Sequence, residues 1–205
     1  MIIGIDAITV KSDGGVEHLT QILNNLSKNQ DIEKIFVWSN LENLEKINNK
    51  KVIKCSNKFI YFNNLTIIFW RLFFFRYYLK KNKCNILLCC SGYFIGFLNL
   101  KKILIFQNIL PFVSKGFKNK ILKTLYKISL NKADGNIFLS QNSKSIILKN
   151  IKKQTISKVI SHGVDETYFC AENQNQLLLR NKLKLVYIST ICDYKNQINL
   201  LKALF

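Results

Sequence analysis

Short apolar runs alternate with segments of helical spacing along most of this chain, and this alternation limits its fold more than any other feature. Runs typical of strands lie at 2–6, 34–38, 51–55, 85–90, 103–106, 136–140 and 157–161. Segments with the apolar spacing of a helix lie at 16–28, 41–47, 65–81, 115–131 and 142–150. Strands that are apolar on both faces must be covered on both sides. The pattern therefore predicts an α/β fold, a parallel sheet with helices on both faces.

The alternation stops near residue 165. Residues 165–182 are largely polar, with repeated Asn and Gln, which is typical of a linker. The apolar run "KLVYIS" (184–189) then predicts another buried strand, and "KNQINLLKALF" starts a helix. We therefore expect one domain over 1–164, a linker over 165–182 and the start of a second domain over 183–205.

The chain is strongly basic, with 31 Lys and Arg against 12 Asp and Glu in 205 residues, a net charge of +19. This charge favours anionic partners, a class that includes nucleic acid, acidic lipid and phosphorylated substrates. An AT-rich coding sequence explains it equally well, because Lys, Asn, Ile and Phe are all abundant. No motif of a nucleic-acid-binding module is present, so nucleic acid is not an expected partner.

The cysteines and histidines do not form a metal-binding pattern. There are six cysteines and two histidines, and no two cysteines have the C-x-x-C spacing, so no metal is expected. Cys89 and Cys90 lie in an apolar run, which predicts buried, reduced thiols. The chain has no signal-peptide pattern, and its longest apolar stretches, 59–79 and 84–100, fall short of about 20 predominantly apolar residues. These features predict a cytoplasmic location.

A pair of glycines follows the first predicted strand, in "SDGGVEHL" (12–19). Gly14 and Gly15 have no Cβ, so a ligand can approach the backbone there. The helix that follows presents free N–H groups, which suit a phosphate or a sugar hydroxyl. Taken alone, the pair is more typical of a tight strand-to-helix turn without a ligand. It lacks the spacing of a dinucleotide site and the lysine of a P-loop.

Five segments, taken in order, resemble the family 4 glycosyltransferases of GT-B architecture. They are "SDGGVEHL" (12–19), "QNILPF" (107–112), "KADGNIFLSQNSKSII" (132–147), "VISHGVDETYF" (159–169) and "LVYISTICDYKNQINLLKAL" (185–204). The resemblance implies two Rossmann-like domains that face each other across a cleft. It also implies retaining transfer of a sugar from a nucleotide-sugar donor to a glycan or lipid-linked acceptor in cell-surface polysaccharide biosynthesis, without a metal or other cofactor.

The resemblance assigns candidate roles to several residues. Gly14 and Gly15 would line the cleft near the donor diphosphate or the acceptor, and Lys195 would contact the donor phosphates from the second domain. His162 would support the turn that leaves the first domain. His18 has two open interpretations, a contact to the acceptor or donor, or a histidine without a ligand.

The chain also departs from the family. Gln107 and Asn108 stand where many relatives carry a histidine near the reacting sugar, and they are acceptor-side candidates. No catalytic residue can be assigned. The family's second domain holds the donor with a pair of glutamates beyond the region matched here, so we expect this chain to be inactive alone. A complementing C-terminal chain is one candidate partner. The alternative is a non-catalytic relative that binds an acceptor or a partner.

Two segments could touch an anionic membrane from its inner face. The basic segment 115–132 interleaves lysines with apolar residues, and the segment 59–78 is rich in aromatic residues. For the basic segment, packing against the sheet is the favoured interpretation. For the aromatic segment, core packing or lining of an acceptor pocket is at least as strong an interpretation.

Overall fold

A computed structural model describes residues 1–10, 13–45, 47–56, 64–150, 155–163, 185–189, 191 and 195–204. The chain divides into two units, Met1–Gly163 and Val164–Phe205. Within the described residues the first unit holds a seven-stranded sheet in the order β3-β2-β1-β4-β5-β6-β7. Its strands are β1 (Ile2–Asp6), β2 (Lys34–Trp38), β3 (Val52–Cys55), β4 (Ile86–Cys89), β5 (Lys101–Phe106), β6 (Gly135–Phe138) and β7 (Ser157–Val159). Every neighbouring pair is parallel, which confirms the predicted Rossmann-like fold class.

Except for α5, which the apolar spacing does not predict, the helices lie where that spacing predicts them, with shifted ends. They are α1 (Asp13–Lys28), α2 (Leu41–Glu45), α3 (Asn64–Trp70), α4 (Arg76–Lys81), α5 (Leu110–Val113), α6 (Phe117–Lys132), α7 (Gln141–Leu148) and α8 (Gln197–Leu204). A π-helical turn, Arg71–Phe75, joins α3 to α4 without a break. Because π-helical turns are rare and have no simple sequence period, apolar spacing does not reveal one. None of the described helices combines the length and apolar composition that crossing a bilayer requires.

Two hydrophobic layers cover the opposite faces of the sheet. One layer packs α1 and α2 onto the sheet and includes Ile5 and Leu23. The other packs the α3–α4 helix, α6 and α7 onto the opposite face and includes Trp70 and Leu130. Alternate residues of a strand point to opposite faces, which is why a single strand can contribute to both layers. On α6, Tyr126, Ser129 and Leu130 are buried, so that one face of the basic helix packs within the protein as expected.

The cysteines of the described part of the chain are free thiols. Cys89 and Cys90 are buried, as predicted, and burial raises the pKa of Cys90 to about 12. Burial also raises the pKa of the half-buried Cys84 to about 12. Thiols with such pKa values remain protonated near neutral pH and are poor nucleophiles. Cys170 and Cys192 lie outside the described residues.

The second unit does not contain the buried strand predicted at 184–189. The described residues 185–189 form no strand, and Val186 and Ile188 are almost fully exposed. An apolar run becomes a strand only where a neighbouring strand supplies a ladder of backbone hydrogen bonds, and no strand of the described part of the chain forms such a ladder with residues 185–189. The helix predicted after it is confirmed as α8. The predicted linker, 165–182, lies outside the described residues.

The middle of β1 is packed closely against the α3–α4 helix at Gly4. A Cβ at Gly4 would lie 2.8 Å from Leu79 Cδ2 and 3.3 Å from Trp38 Cζ3. Both neighbours belong to the packed core, so neither side chain can move away freely. Gly4 therefore sets how near the helix can come to the sheet.

We expect Gly4→Ala to lower the free energy of unfolding by about 1–3 kcal/mol, because the added methyl group overpacks the core. Gly135→Ala is the matched control, since Gly135 also lies in a strand but its added Cβ would meet only Ile103 at 3.8 Å. Urea unfolding of the two variants measures the difference. Equal effects at the two positions would contradict the close approach at Gly4.

A buried ion pair joins the end of β1 to the π-helical turn. The Arg71 guanidinium donates to Asp6 Oδ1 at 2.7 Å, and both side chains are 1% exposed. Arg71 also donates to the Tyr93 hydroxyl at 3.2 Å. Burial alone would lower the pKa of Arg71, but Asp6 and Tyr93 more than offset it, so the pKa is raised and the charge is retained. The ion pair therefore holds the helix, β1 and the segment after β4 together.

Arg71→Met should destabilise the fold by about 3–5 kcal/mol, because it leaves the Asp6 carboxylate buried without its cation. The double variant Asp6→Asn/Arg71→Met removes both charges and should recover most of that loss in urea unfolding. Glu33→Gln is the control, since the Glu33–Lys34 pair is exposed and its loss should change stability by less than about 0.5 kcal/mol. A double variant no more stable than Arg71→Met would show that the charge pairing is not the cause.

Candidate functional site

Three segments that follow strands converge at one edge of the sheet. Because all the strands run in the same direction, α1 after β1, residues 107–109 after β5 and residues 160–163 after β7 all start from the carboxyl edge. In open parallel sheets this is the edge where ligands bind. The candidate site therefore lies at this edge.

A cluster of three polar side chains, His18, Gln107 and His162, forms at this edge. The Gln107 amide nitrogen lies 2.8 Å from His18 Nδ1. The His162 ring meets the His18 ring edge to face, with 4.4 Å between the ring centroids and 81° between the ring planes. The amide nitrogen can only donate, so it donates to Nδ1 and the proton of neutral His18 lies on Nε2. We call these three residues the histidine cluster.

The environment of His18 disfavours its charged form. Burial lowers the pKa of His18 below its ordinary value of 6.5, and the charge of His162 lowers it further. The His18 ring is half-buried, while Gln107 and His162 are exposed to solvent. Near pH 7, His18 is therefore a neutral imidazole that can donate from Nε2 or accept a proton, beside an amide that can bind hydroxyl groups.

The glycine pair lies in the first turn of α1 and not in the loop before it, because the helix begins at Asp13 and the spacing predicted its start at residue 16. Gly14 is exposed, and among the described residues no atom outside its chain neighbours and the α1 backbone lies within 4 Å of the position that its Cβ would occupy. The described part of the chain thus leaves the backbone open at Gly14, one turn before His18.

The other predicted site residues have different surroundings. Asn108 lies beside Gln107, and its side-chain oxygen accepts a hydrogen bond from the Leu110 backbone N–H at 2.9 Å. That bond fixes the chain at the start of α5. Lys195 belongs to the second unit, where its carbonyl oxygen accepts from the Tyr187 hydroxyl at 2.6 Å.

Sequence reasoning did not predict the contact between the two histidines, since it placed His162 in a supporting turn. The signal available was topological. Both histidines follow strands of one parallel sheet, at positions where the chain leaves the carboxyl edge. Their contact depends on how far α1 and residues 160–163 extend across that edge. A local sequence pattern does not predict the distance between the two segments.

At the point where the strand order reverses, between β1 and β4, β1 ends in the buried pair of Asp6 with Arg71. Ligands of such sheets bind beside this point. The histidine cluster lies instead on α1 and after β5 and β7. Within the described residues, no group of three or more His, Cys, Asp or Glu side chains could hold a metal ion.

Comparisons with known protein families and with curated proteins find no match to this chain.

The chain has only two histidines, so each imidazole can be followed separately by NMR. His162→Gln should raise the pKa of His18, because it removes the electrostatic contribution of His162 that lowers this pKa. Histidine Cε1–H shifts recorded against pH measure this change. Thr124→Ser, a conservative change on an exposed part of α6, is the control. An unchanged His18 pKa in His162→Gln would contradict the contact between the rings.

The lowered pKa of His18 also predicts how stability depends on pH. A folded-state pKa below the unfolded value near 6.5 means that protonation favours the unfolded chain. The contribution of His18 is complete above the unfolded pKa and is lost as the pH falls through the folded pKa. His18→Gln should therefore flatten the dependence of unfolding free energy on pH below about 6.5, measured by urea unfolding at a series of pH values. An equally steep dependence in the variant would contradict this assignment.

Proposed function

We propose that Met1–Gly163 is the acceptor-side domain of a retaining, nucleotide-sugar-dependent glycosyltransferase that acts on a glycan or lipid-linked acceptor. The observation that carries the proposal is the histidine cluster at the carboxyl edge of a parallel sheet. The sequence offers two of its members, His18 and Gln107, as acceptor-side candidates. The resemblance supplies the reaction class, and the geometry supplies a set of groups suited to a sugar.

The histidine cluster suits hydroxyl groups. Neutral His18 can donate from Nε2, and the Gln107 amide has an oxygen that can accept while its nitrogen donates to Nδ1. Sugar hydroxyls both donate and accept, so a mixed set of this kind can fix their orientation. The open backbone at Gly14 is the proposed place for the approach of the donor diphosphate, close to the N–H groups at the start of α1.

The remaining parts of the proposal rest on the resemblance. Lys195 would offset phosphate charge from the second unit, because an ammonium group acts as a compact point charge. The donor would be a nucleotide sugar used without a metal ion, and the product would serve cell-surface polysaccharide synthesis. A cytoplasmic location, with peripheral contact to the inner face of the membrane, belongs to the same proposal.

A binding role without catalysis is the second candidate function. The observation that favours it is Gln107, which stands where the resemblance places a histidine. An amide cannot exchange a proton as an imidazole can. The acceptor would then be held by the histidine cluster without sugar transfer.

Titration of the purified chain with UDP-glucose, GDP-mannose and a panel of mono- and disaccharides tests the proposal, with the histidine NMR signals as the reporter. The ligand that binds should shift the His18 and His162 signals. His18→Ala and Gln107→Ala should each weaken its binding about threefold to tenfold, the usual value of one hydrogen bond.

Gln30→Ala is the matched control, because Gln30 is an exposed glutamine between α1 and β2, at the amino edge of the sheet. If no sugar or sugar nucleotide shifts either histidine, the proposed site is wrong. Transfer of the sugar from UDP-glucose or GDP-mannose to the bound saccharide by the purified chain, detected on the saccharide itself, would contradict both the expected inactivity of the chain alone and the binding-only candidate.

A further inference from the structure

The helix formed by α3, the π-helical turn and α4 is apolar on its outer side as well as on its inner side. Its inner side packs in the core through Trp70, Phe75 and Leu79. The exposed apolar side chains on its outer side are Leu65, Ile68, Phe69, Leu72, Phe73, Phe74 and Tyr77. We call these seven residues the aromatic face. An apolar surface of this extent marks an interaction site, because single exposed apolar residues are common but contiguous groups are not.

The side chains of the aromatic face are accessible to a partner. Leu65 is 75% exposed, Phe73 is 64% exposed and Phe69 is 52% exposed. The Phe69 and Phe73 rings lie together, with 4.6 Å between their centroids. Since the inner side of the same helix is held in the core, the helix can meet a partner only by lying flat against it.

A basic cleft of about 340 Å³ begins where the aromatic face ends. Its cationic walls are Arg76, Lys80 and Lys83, and Leu79, Leu98 and Leu100 add an apolar lining. Arg76 and Lys80 belong to α4, the same helix that carries Tyr77. None of the eight residues that line the cleft is acidic. We call the cleft lined by these eight residues the basic cleft. It lies toward the amino edge of the sheet, because α4 leads into β4 there, whereas the histidine cluster lies at the carboxyl edge.

This combination fits the surface of an anionic bilayer. Aromatic rings are favoured at the level of the lipid head groups, and each nearby Lys or Arg is attracted to anionic lipid. A second copy of the chain fits less well, because Arg76, Lys80 and Lys83 would find no carboxylate on the same helix of the other copy: residues 64–81 contain neither Asp nor Glu. Single-stranded nucleic acid also fits less well, because it binds where aromatic rings line a basic groove, and none of the eight residues that line the basic cleft is aromatic.

We infer that the aromatic face and the basic cleft together dock this protein on an anionic lipid bilayer. The α3–α4 helix lies parallel to the membrane plane, the rings of Phe69 and Phe73 enter the head-group region, and the cleft receives the phosphate of a lipid head group. This inference does not rest on glycosyl transfer. It assigns to one surface the membrane contact that the sequence left open between two segments.

Sedimentation of the whole chain with vesicles tests the inference. Vesicles of phosphatidylcholine with about 30% phosphatidylglycerol should bind the protein, binding should weaken as salt is raised, and pure phosphatidylcholine should bind at least about tenfold less. Phe69→Ser/Phe73→Ser should reduce binding to the anionic vesicles at least about tenfold. Phe117→Ser is the matched control, because Phe117 is 79% exposed on α6. It should leave binding within about twofold, since an unrelated exposed side chain contributes little.

The charge test uses two variants with the same net charge. Lys80→Glu/Lys83→Glu should weaken binding at least about tenfold, because it reverses two charges of the basic cleft. Lys118→Glu/Lys120→Glu, on exposed positions of α6, should weaken it much less. Circular dichroism and thermal unfolding establish that each variant is folded. If the phenylalanine variant does not fold, the lysine pair still decides the question, because these lysines are exposed and outside the core.

Several results would overturn the inference. The first is a loss of vesicle binding in the α6 variants equal to that in the variants of the aromatic face and basic cleft. The second is equal binding to neutral and anionic vesicles. The third is binding to single-stranded RNA that is tighter than binding to vesicles and that the aromatic variant abolishes. Self-association that the aromatic variant abolishes, without vesicle binding, would also overturn it. Because the sugar titration is read at the histidine signals, its failure leaves the vesicle result unaffected, and the reverse also holds.

Discussion

A parallel sheet with apolar residues on both faces is stable only when helices cover both faces, and the rest of this structure depends on that requirement. On one face, Leu23 of α1 packs in the same layer as Ile5. On the other, Gly4 leaves room for Leu79, so the α3–α4 helix lies directly on β1. This close packing brings Arg71 to the end of β1, where Asp6 neutralises it within the core. The ion pair is therefore a consequence of covering the sheet, and it also orients the helix that does so.

The same packing also determines which parts of the domain surface are left to bind ligands. The buried Asp6–Arg71 pair lies where the strand order reverses, and the histidine cluster is formed by side chains from α1, from the segment after β5 and from the segment after β7. These segments meet because parallel strands end at one edge. The α3–α4 helix runs in the opposite direction to the strands and delivers its cations to the other edge. A site for a small ligand and a surface for a larger partner can thus be separate on one domain.

The strongly positive charge has a more specific meaning once the fold is known. Net charge alone favours many anionic partners and does not select one. In the structure, Arg76, Lys80 and Lys83 surround one cleft beside exposed aromatic residues. That placement, which depends on helix α4 and on the chain before β5, distinguishes a localised basic surface from a uniform excess of lysine.

The sequence by itself determined the fold class, the first seven strands to within a few residues and most of the helices, because apolar period is a local property that survives in any compact arrangement. It also determined that His18 and Gln107 follow strands. It did not determine that 184–189 would fail to form a strand, since pairing needs a neighbour and an apolar run does not supply one. The contact of His18 with His162, the ion pair of Asp6 with Arg71 and the π-helical turn were decided only by the tertiary structure. Each depends on distances between segments far apart in the chain, which are set by how closely the helices pack on the sheet.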